Sequence, residues 1–157
     1  MPPHFGHIGS YLPGDTFASR LELRLTGMHR PVRAGIAGSQ HTGAESIVLS
    51  QVYEDDVFSE DEIIYTGQGG RDPKTGHQVT SQVANDRNLA LMKSQETGQP
   101  VRVIRKVTDE GSGAQVFRYE GLYRVLSYEY GLGKSGVGVW RFRLVPERLA
   151  AGQLPTA

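Results

Sequence analysis

The chain has 157 residues, 38% of them hydrophobic, which suits one globular domain with a single core. It contains no cysteine, which excludes a disulfide framework, thiolate zinc sites and a cysteine nucleophile, and is compatible with a reducing cytoplasm. Its 17 basic and 17 acidic side chains cancel, but six of the acids lie between Glu54 and Glu62, so elsewhere 17 bases face 11 acids and a neutral chain can still present a basic face.

The twenty glycines and eight prolines are spread over the length, which suits short strands joined by tight turns. The opening MPPHFGHIGS has neither a basic start nor an apolar signal core, and no apolar run reaches the roughly 20 residues of a spanning helix, so a soluble cytoplasmic protein with no membrane partner is expected. Thr16 to Leu25 reads as the first strand and Ser46 to Tyr53 as the second, from β-branched and aromatic content with partial alternation. Asp86 to Glu96 reads as a helix closed by Gly98 and Pro100, with Leu89 and Met92 facing the core. Three more strands follow at Val101 to Val107, Phe117 to Tyr128 and Val137 to Val145, with Leu122, Val125, Val139, Trp140, Phe142 and Leu144 as core contributors. The sum is an α+β domain over residues 1–148, a strongly bent sheet or barrel with at least one packed helix, and a tail at 149–157.

Chemistry concentrates between Gln51 and Asp72, in QVYEDDVFSEDEIIYTGQGGRD. Tyr53 ends one apolar segment and Tyr65 another, so two rings could face each other across a pocket that admits a flat ring. On their own the two residues are more often ordinary core or strand tyrosines than the walls of such a pocket. Gly67, Gly69 and Gly70 remove side chains where a ligand would approach and leave N–H groups as donors, but no following lysine makes this a phosphate loop. The five histidines show no metal-ligand spacing, and His29 beside Pro31 reads as a structural hydrogen-bonding residue. Taken singly, Lys93, Arg102, Arg105 and Lys106 read as solvated surface charges.

The ordered set YEDDV, YTGQGGRD, GMHRPVRAGIAG, NLAL, GQPVRVIRKV, YEGLYRV and KSGVGVWRFRL resembles the SRA (SET- and RING-associated, or YDG) family over residues 5 to 146. The resemblance implies a PUA-like twisted β-barrel that flips 5-methylcytosine out of double-stranded DNA. Tyr53 and Tyr65 would be the stacking walls, Asp56 the acceptor for the cytosine amino group and Thr66 a backbone contact, with Gly67 and Gln68 completing the pocket. Arg33 occupies the position that reaches into the duplex, and Gly38, Ser39, Gln40, Arg71, Lys74 and Arg87 are further candidates for DNA contact. Gln68 stands where well-studied members carry a small serine, so tolerance of a 5-hydroxymethyl group is open. The segment Asp72 to Asp86 is shorter than in eukaryotic relatives and unrelated to theirs, so a CpG restriction is not implied. The expectation is a non-enzymatic reader, without metal or cofactor, serving as the specificity part of a modification-dependent restriction system, nucleoid-associated if bacterial, with any nuclease fused or associated. Two other readings stand beside it: a Mg²⁺-dependent nuclease using Asp55, Asp56, Glu60, Asp61 and Glu62, and an RNA-binding PUA-like module.

Overall fold

The computed structural model describes residues 2–50, 55–72, 74, 75 and 77–147. Strand β1 (Thr16–Phe17) is followed by helix α1 (Arg20–Thr26), then β2 (Ile36–Ser39), β3 (Gly43–Leu49), β4 (Val57–Phe58), β5 (Ile63–Thr66), helix α2 (Asp86–Thr97), β6 (Val101–Thr108), β7 (Gln115–Leu132) and β8 (Gly138–Pro146). All eight strands belong to one mixed sheet in the order β2-β3-β6-β7-β8-β5-β4, with β1 beside β7. Among the described residues only β3 and β6 run parallel. The register of β6 on β7 shifts between Val103 and Ile104, and that of β7 on β8 between Val125 and Ser127. Each extra residue bends the strand and adds twist, which curls this sheet around its core as expected for the class.

The first predicted strand is mostly a helix. Ser19 caps α1 by accepting from Glu22 N–H, the Glu22 carboxylate accepts in return from Ala18 N–H, and Gly27 closes the helix with φ 82°. This Ser-x-x-Glu box outweighs the alternation of LELRL. Helix α2 matches its prediction, capped by Asn85 and closed by Gly98. Its buried face carries Ala90 and Leu91 rather than Leu89, while Met92 packs against the core from a partly buried position. Leu122 is only half-buried, whereas Val125, Val139, Phe142 and Leu144 are core residues as read.

The apolar interior has two parts. The larger joins Ile36, Ile47, Ile63, Tyr65, Leu91, Val103 and Phe142 beneath α2. The smaller, beneath α1, joins Phe17, Leu23, Met28, Val48, Ile104 and Tyr119. Arg102, read from sequence as a surface charge, is 1% exposed beside this second cluster. Its guanidinium donates to the carbonyls of Met28 (2.9 Å), His4 (2.7 Å) and Gly6 (2.9 Å), fastening the N-terminal segment and the end of α1 to β6. Burial lowers its pKa to about 10, which still leaves it charged at neutral pH. Arg102→Met removes a donor that three carbonyls share, so a loss on the order of 3 kcal/mol is expected in urea unfolding.

Candidate functional site

The β4–β5 hairpin brings Asp56 back alongside Thr66. Val57 pairs with Ile64 and Phe58 with Ile63, and the turn is tied by Ser59, which exchanges hydrogen bonds with Glu62. The Thr66 N–H donates to Asp56 Oδ1 at 2.7 Å. Beyond Thr66 the strand continues for one more ladder bond, Gly67 N–H to Trp140 C=O at 2.8 Å. It then leaves the sheet as the loop 67–70.

Side-chain amides hold this loop. Asn88, in the first turn of α2, accepts from Gln68 N–H (2.7 Å) and donates to Gln68 C=O (3.1 Å) and Val83 C=O (2.9 Å). Gln82 donates to Gly67 C=O (2.5 Å) and Gly69 C=O (3.1 Å) and accepts from Trp140 N–H (2.9 Å). The glycines answer to these neighbours. A Cβ at Gly67 would stand 2.7 Å from Asn88 Oδ1, and one at Gly70 would stand 2.2 Å from Thr80 C=O. Only Gly69 meets open space, so two of the three glycines serve internal packing rather than ligand approach.

Tyr65 is 1% exposed, with its ring in the main core cluster and its hydroxyl donating to Val48 C=O at 3.4 Å. That hydroxyl lies 2.6 Å from where a Gly35 Cβ would be, so glycine at 35 lets the ring reach its place. Tyr53 lies outside the described residues. Burial raises the Asp56 carboxyl from its ordinary 3.8 to about 6, against the Thr66 N–H, which favours the ionised form, and with the Asp55 charge adding to the rise.

Arg33 is exposed on the 30–35 segment, whose backbone is fixed from below. Arg20 donates to Pro31 C=O (3.0 Å) and Ala34 C=O (2.6 Å). His29, fully buried, bridges Ala34 C=O (2.8 Å) and the Ser46 hydroxyl (2.7 Å). A carbonyl only accepts, so Nε2 carries the proton and Nδ1 accepts from Ser46; burial takes the ring's pKa down to about 3 and keeps it neutral. The structural role read for His29 is therefore what it performs.

The remaining candidates fall into two groups. Gly38 and Ser39 at the end of β2, with Arg87 of α2, line a cavity of about 630 Å³ together with Arg24, Arg30 and Glu45. Gln40 N–H is held by Asp86 (3.0 Å) and Arg87 donates to Ile36 C=O (2.7 Å). Arg71 bridges to Gln78 and Lys74 is exposed, both on the segment beyond Gly70. Asn88, Gln82, Arg20, Arg24 and Arg30 were not picked out from sequence. Their signal is indirect: a glycine loop that leaves a sheet needs polar side chains to complete its backbone bonds.

The acidic residues do not converge. Asp55, 7% exposed, accepts from Lys134 N–H (3.1 Å), Asp56 faces Thr66, and Glu62 pairs with Arg143 (2.7 Å). Among the described residues no group of three or more His, Asp or Glu is placed to hold a metal ion. Nor is any helix among them long and apolar enough to cross a membrane.

A curved mixed sheet with two packed helices, the Asp56–Thr66 hydrogen bond beside Tyr65 and an amide-braced glycine loop define a PUA-like domain. The chain belongs to the SAD/SRA domain family, whose match spans residues 4–149. It is 41% identical over 140 residues to the histone-lysine N-methyltransferase family member SUVH2 of Arabidopsis thaliana, covering 84% of this chain. The chain spans about 21% of the length of the first curated relatives that it matches. Among solved structures, the modification-dependent TagI restriction endonuclease superposes with TM-score 0.83 at 38% identity, over 94% of this chain and 54% of that one. The SUVH5 SRA domain bound to fully hydroxymethylated CG DNA superposes with TM-score 0.78 at 36% identity, over 91% and 93%.

Because the folded state holds the Asp56 proton more tightly than the unfolded chain, this residue supports the fold most fully below about pH 4 and loses that contribution as the pH rises through about 6. The wild type should shed on the order of 2–3 kcal/mol across that window relative to Asp56→Asn, which lacks the titration. Urea unfolding at intervals between pH 4 and 7 measures it; parallel profiles for the two proteins would contradict the assignment.

Proposed function

We propose that this domain binds double-stranded DNA carrying 5-methylcytosine or 5-hydroxymethylcytosine by turning the modified base into a pocket walled by Tyr53 and Tyr65. In this reading it is the specificity module of a modification-dependent restriction system and has no catalytic chemistry of its own. The observation that carries it is the half-buried Asp56 carboxyl, pinned by Thr66 N–H next to Tyr65. The Watson–Crick edge of cytosine offers an amino donor at N4 beside an acceptor at N3. A carboxyl whose pKa sits near 6 can accept from N4 with one oxygen and, when protonated, donate to N3 with the other. Thymine presents a carbonyl in place of the amino group and meets no complementary donor pattern there.

The energetics allow the step. Extruding a base costs a few kcal/mol, and stacking on aromatic rings returns roughly 1–3 kcal/mol per base. In this reading the exposed Arg33 guanidinium enters the gap, where a planar cation can stack and donate to the unpaired guanine. Arg24, Arg30 and Arg87 against one Glu45 give the neighbouring cavity a positive balance, suited to backbone phosphates. The similarity to TagI and to the SUVH5 complex supports the same substrate class. The separated carboxylates argue against the Mg²⁺-nuclease alternative.

Binding measured on one duplex with C, 5-methyl-C or 5-hydroxymethyl-C at fixed salt tests this reading, with structured RNA as competitor. Both modified duplexes should bind at least tenfold more tightly than the plain one. Asp56→Ala and Tyr53→Ala should each cost roughly 1–3 kcal/mol on modified DNA and leave non-specific affinity nearly unchanged. Equal losses on all three duplexes, a preference for RNA, or cleavage of methylated plasmid with Mg²⁺ would each sink it.

Arg33→Ala should cut flipping, seen with a fluorescent base analogue beside the target, with little change in salt slope. A plain phosphate contact would instead weaken modified and unmodified DNA alike and lower the slope by about one.

A further inference from the structure

Strand β2 is an outer strand of the sheet, so the groups that Ile36 turns away from β3 have no neighbouring strand. The Arg87 guanidinium takes Ile36 C=O at 2.7 Å. With its amide turned so that the oxygen faces inward, the Gln68 side chain accepts from Gly35 N–H at 2.8 Å and Ile36 N–H at 3.2 Å. A single amide of the 67–70 loop thus completes the backbone of the segment that presents Arg33.

We propose that Gln68 is a positioning residue that ties the base-pocket loop to the Arg33 segment, so that base capture and Arg33 insertion are coupled. The inference rests on the reading under Proposed function. Two further contacts make the tie stiff. Asn88 grips Gln68 through both its N–H and its C=O, so the root of the side chain cannot drift. On the other side Arg20 and His29 both hold Ala34 C=O, so the two N–H groups arrive on a fixed backbone. Movement at Gln68 is therefore passed to residues 35 and 36, and from them to Arg33 two positions upstream. Arg20, which braces Pro31 and Ala34, also lies near Tyr65, so the aromatic wall meets the same network.

The substitutions separate bonding from bulk. Gln68→Met keeps the length and removes the acceptor, whereas Gln68→Glu keeps an acceptor. Amide hydrogen exchange by NMR on the free domain should speed up at Gly35 and Ile36 by about tenfold or more in Gln68→Met and stay near wild type in Gln68→Glu, with urea unfolding correcting for any global change. In a double-mutant cycle on a duplex with one 5-methylcytosine, Arg33→Ala should cost about tenfold in the wild-type background and less than about threefold beside Gln68→Met. Unchanged exchange at Gly35 and Ile36 overturns the tie, and an Arg33 effect of equal size in both backgrounds overturns the coupling. If the wild type shows no preference for modified DNA, the functional reading fails instead, and the exchange result still decides whether Gln68 positions the segment.

Discussion

A polypeptide loop that leaves a sheet and turns inward must find partners for every N–H and C=O it withdraws from the ladder, because a buried backbone group left unpaired costs 1–3 kcal/mol. Residues 67–70 meet this constraint with side chains. The Asn88 amide presents Gln68 with an acceptor and a donor at the spacing of a neighbouring strand, and Gln82 does the same work for Gly67, Gly69 and Trp140. These bonds tie the start of α2 to the end of β5 and the start of β8. They also fix where the two tightly packed glycines must lie, and the candidate pocket takes its shape from the result. A loop so braced behaves as part of the scaffold, as the proposed base pocket requires.

How far the sequence carried depended on whether local pattern or distant partnership decided each element. The strands β6, β7 and β8 and the helix α2 were legible because their periodicity, caps and closing glycine agree with where they pack. Helix α1 was misread because LELRL alternates like a strand, while its true signal lay one step back in the Ser19–Glu22 box. Arg102 was misread because nothing in VRVIRK distinguishes the one basic residue whose partners are carbonyls 74 to 98 positions away. The glycine loop was found by pattern but only partly explained by it. Gly67 and Gly70 are required by Asn88 and Thr80, which sequence spacing does not bring together. The candidate site follows the same division. Asp56, Tyr65 and Thr66 stand together because a short hairpin joins them, and a hairpin is local. The tie from Gln68 to Gly35 and Ile36 joins segments more than thirty residues apart and left no trace in composition.

The chain's zero net charge is compatible with a polyanionic partner because the charges are sorted. Among the described acids of the 54–62 stretch, Asp55 is held by the β7–β8 turn, Asp56 by Thr66 N–H and Glu62 by Arg143. Around Arg33 the sorting is reversed. Arg20 spends its donors on carbonyls and Arg30 on Glu45, whereas Arg33 is exposed and free of such a structural duty among the described residues. Division of labour of this kind leaves one planar cation exposed on a segment whose carbonyls are held by Arg20 and His29.

The choice of a carboxyl at position 56 also has a physical basis. An asparagine could accept from cytosine N4 and donate to N3, but its orientation would have to be selected against the reverse, which suits thymine equally well. A carboxyl is symmetric and takes its asymmetry from the surroundings. Here Thr66 N–H occupies Oδ1 and favours it as the acceptor, which leaves Oδ2 as the better seat for a proton. Burial raises the pKa far enough for that proton to be held at modest cost near neutrality, without removing the charge that repels a carbonyl when the proton is gone. In the proposed reading, with Oδ1 held as the acceptor, the neutral carboxyl matches the N4 donor and N3 acceptor of cytosine and mismatches the O4 and N3–H of thymine. Because in that reading the neutral carboxyl matches both atoms of the cytosine edge, base capture there would be linked to proton uptake.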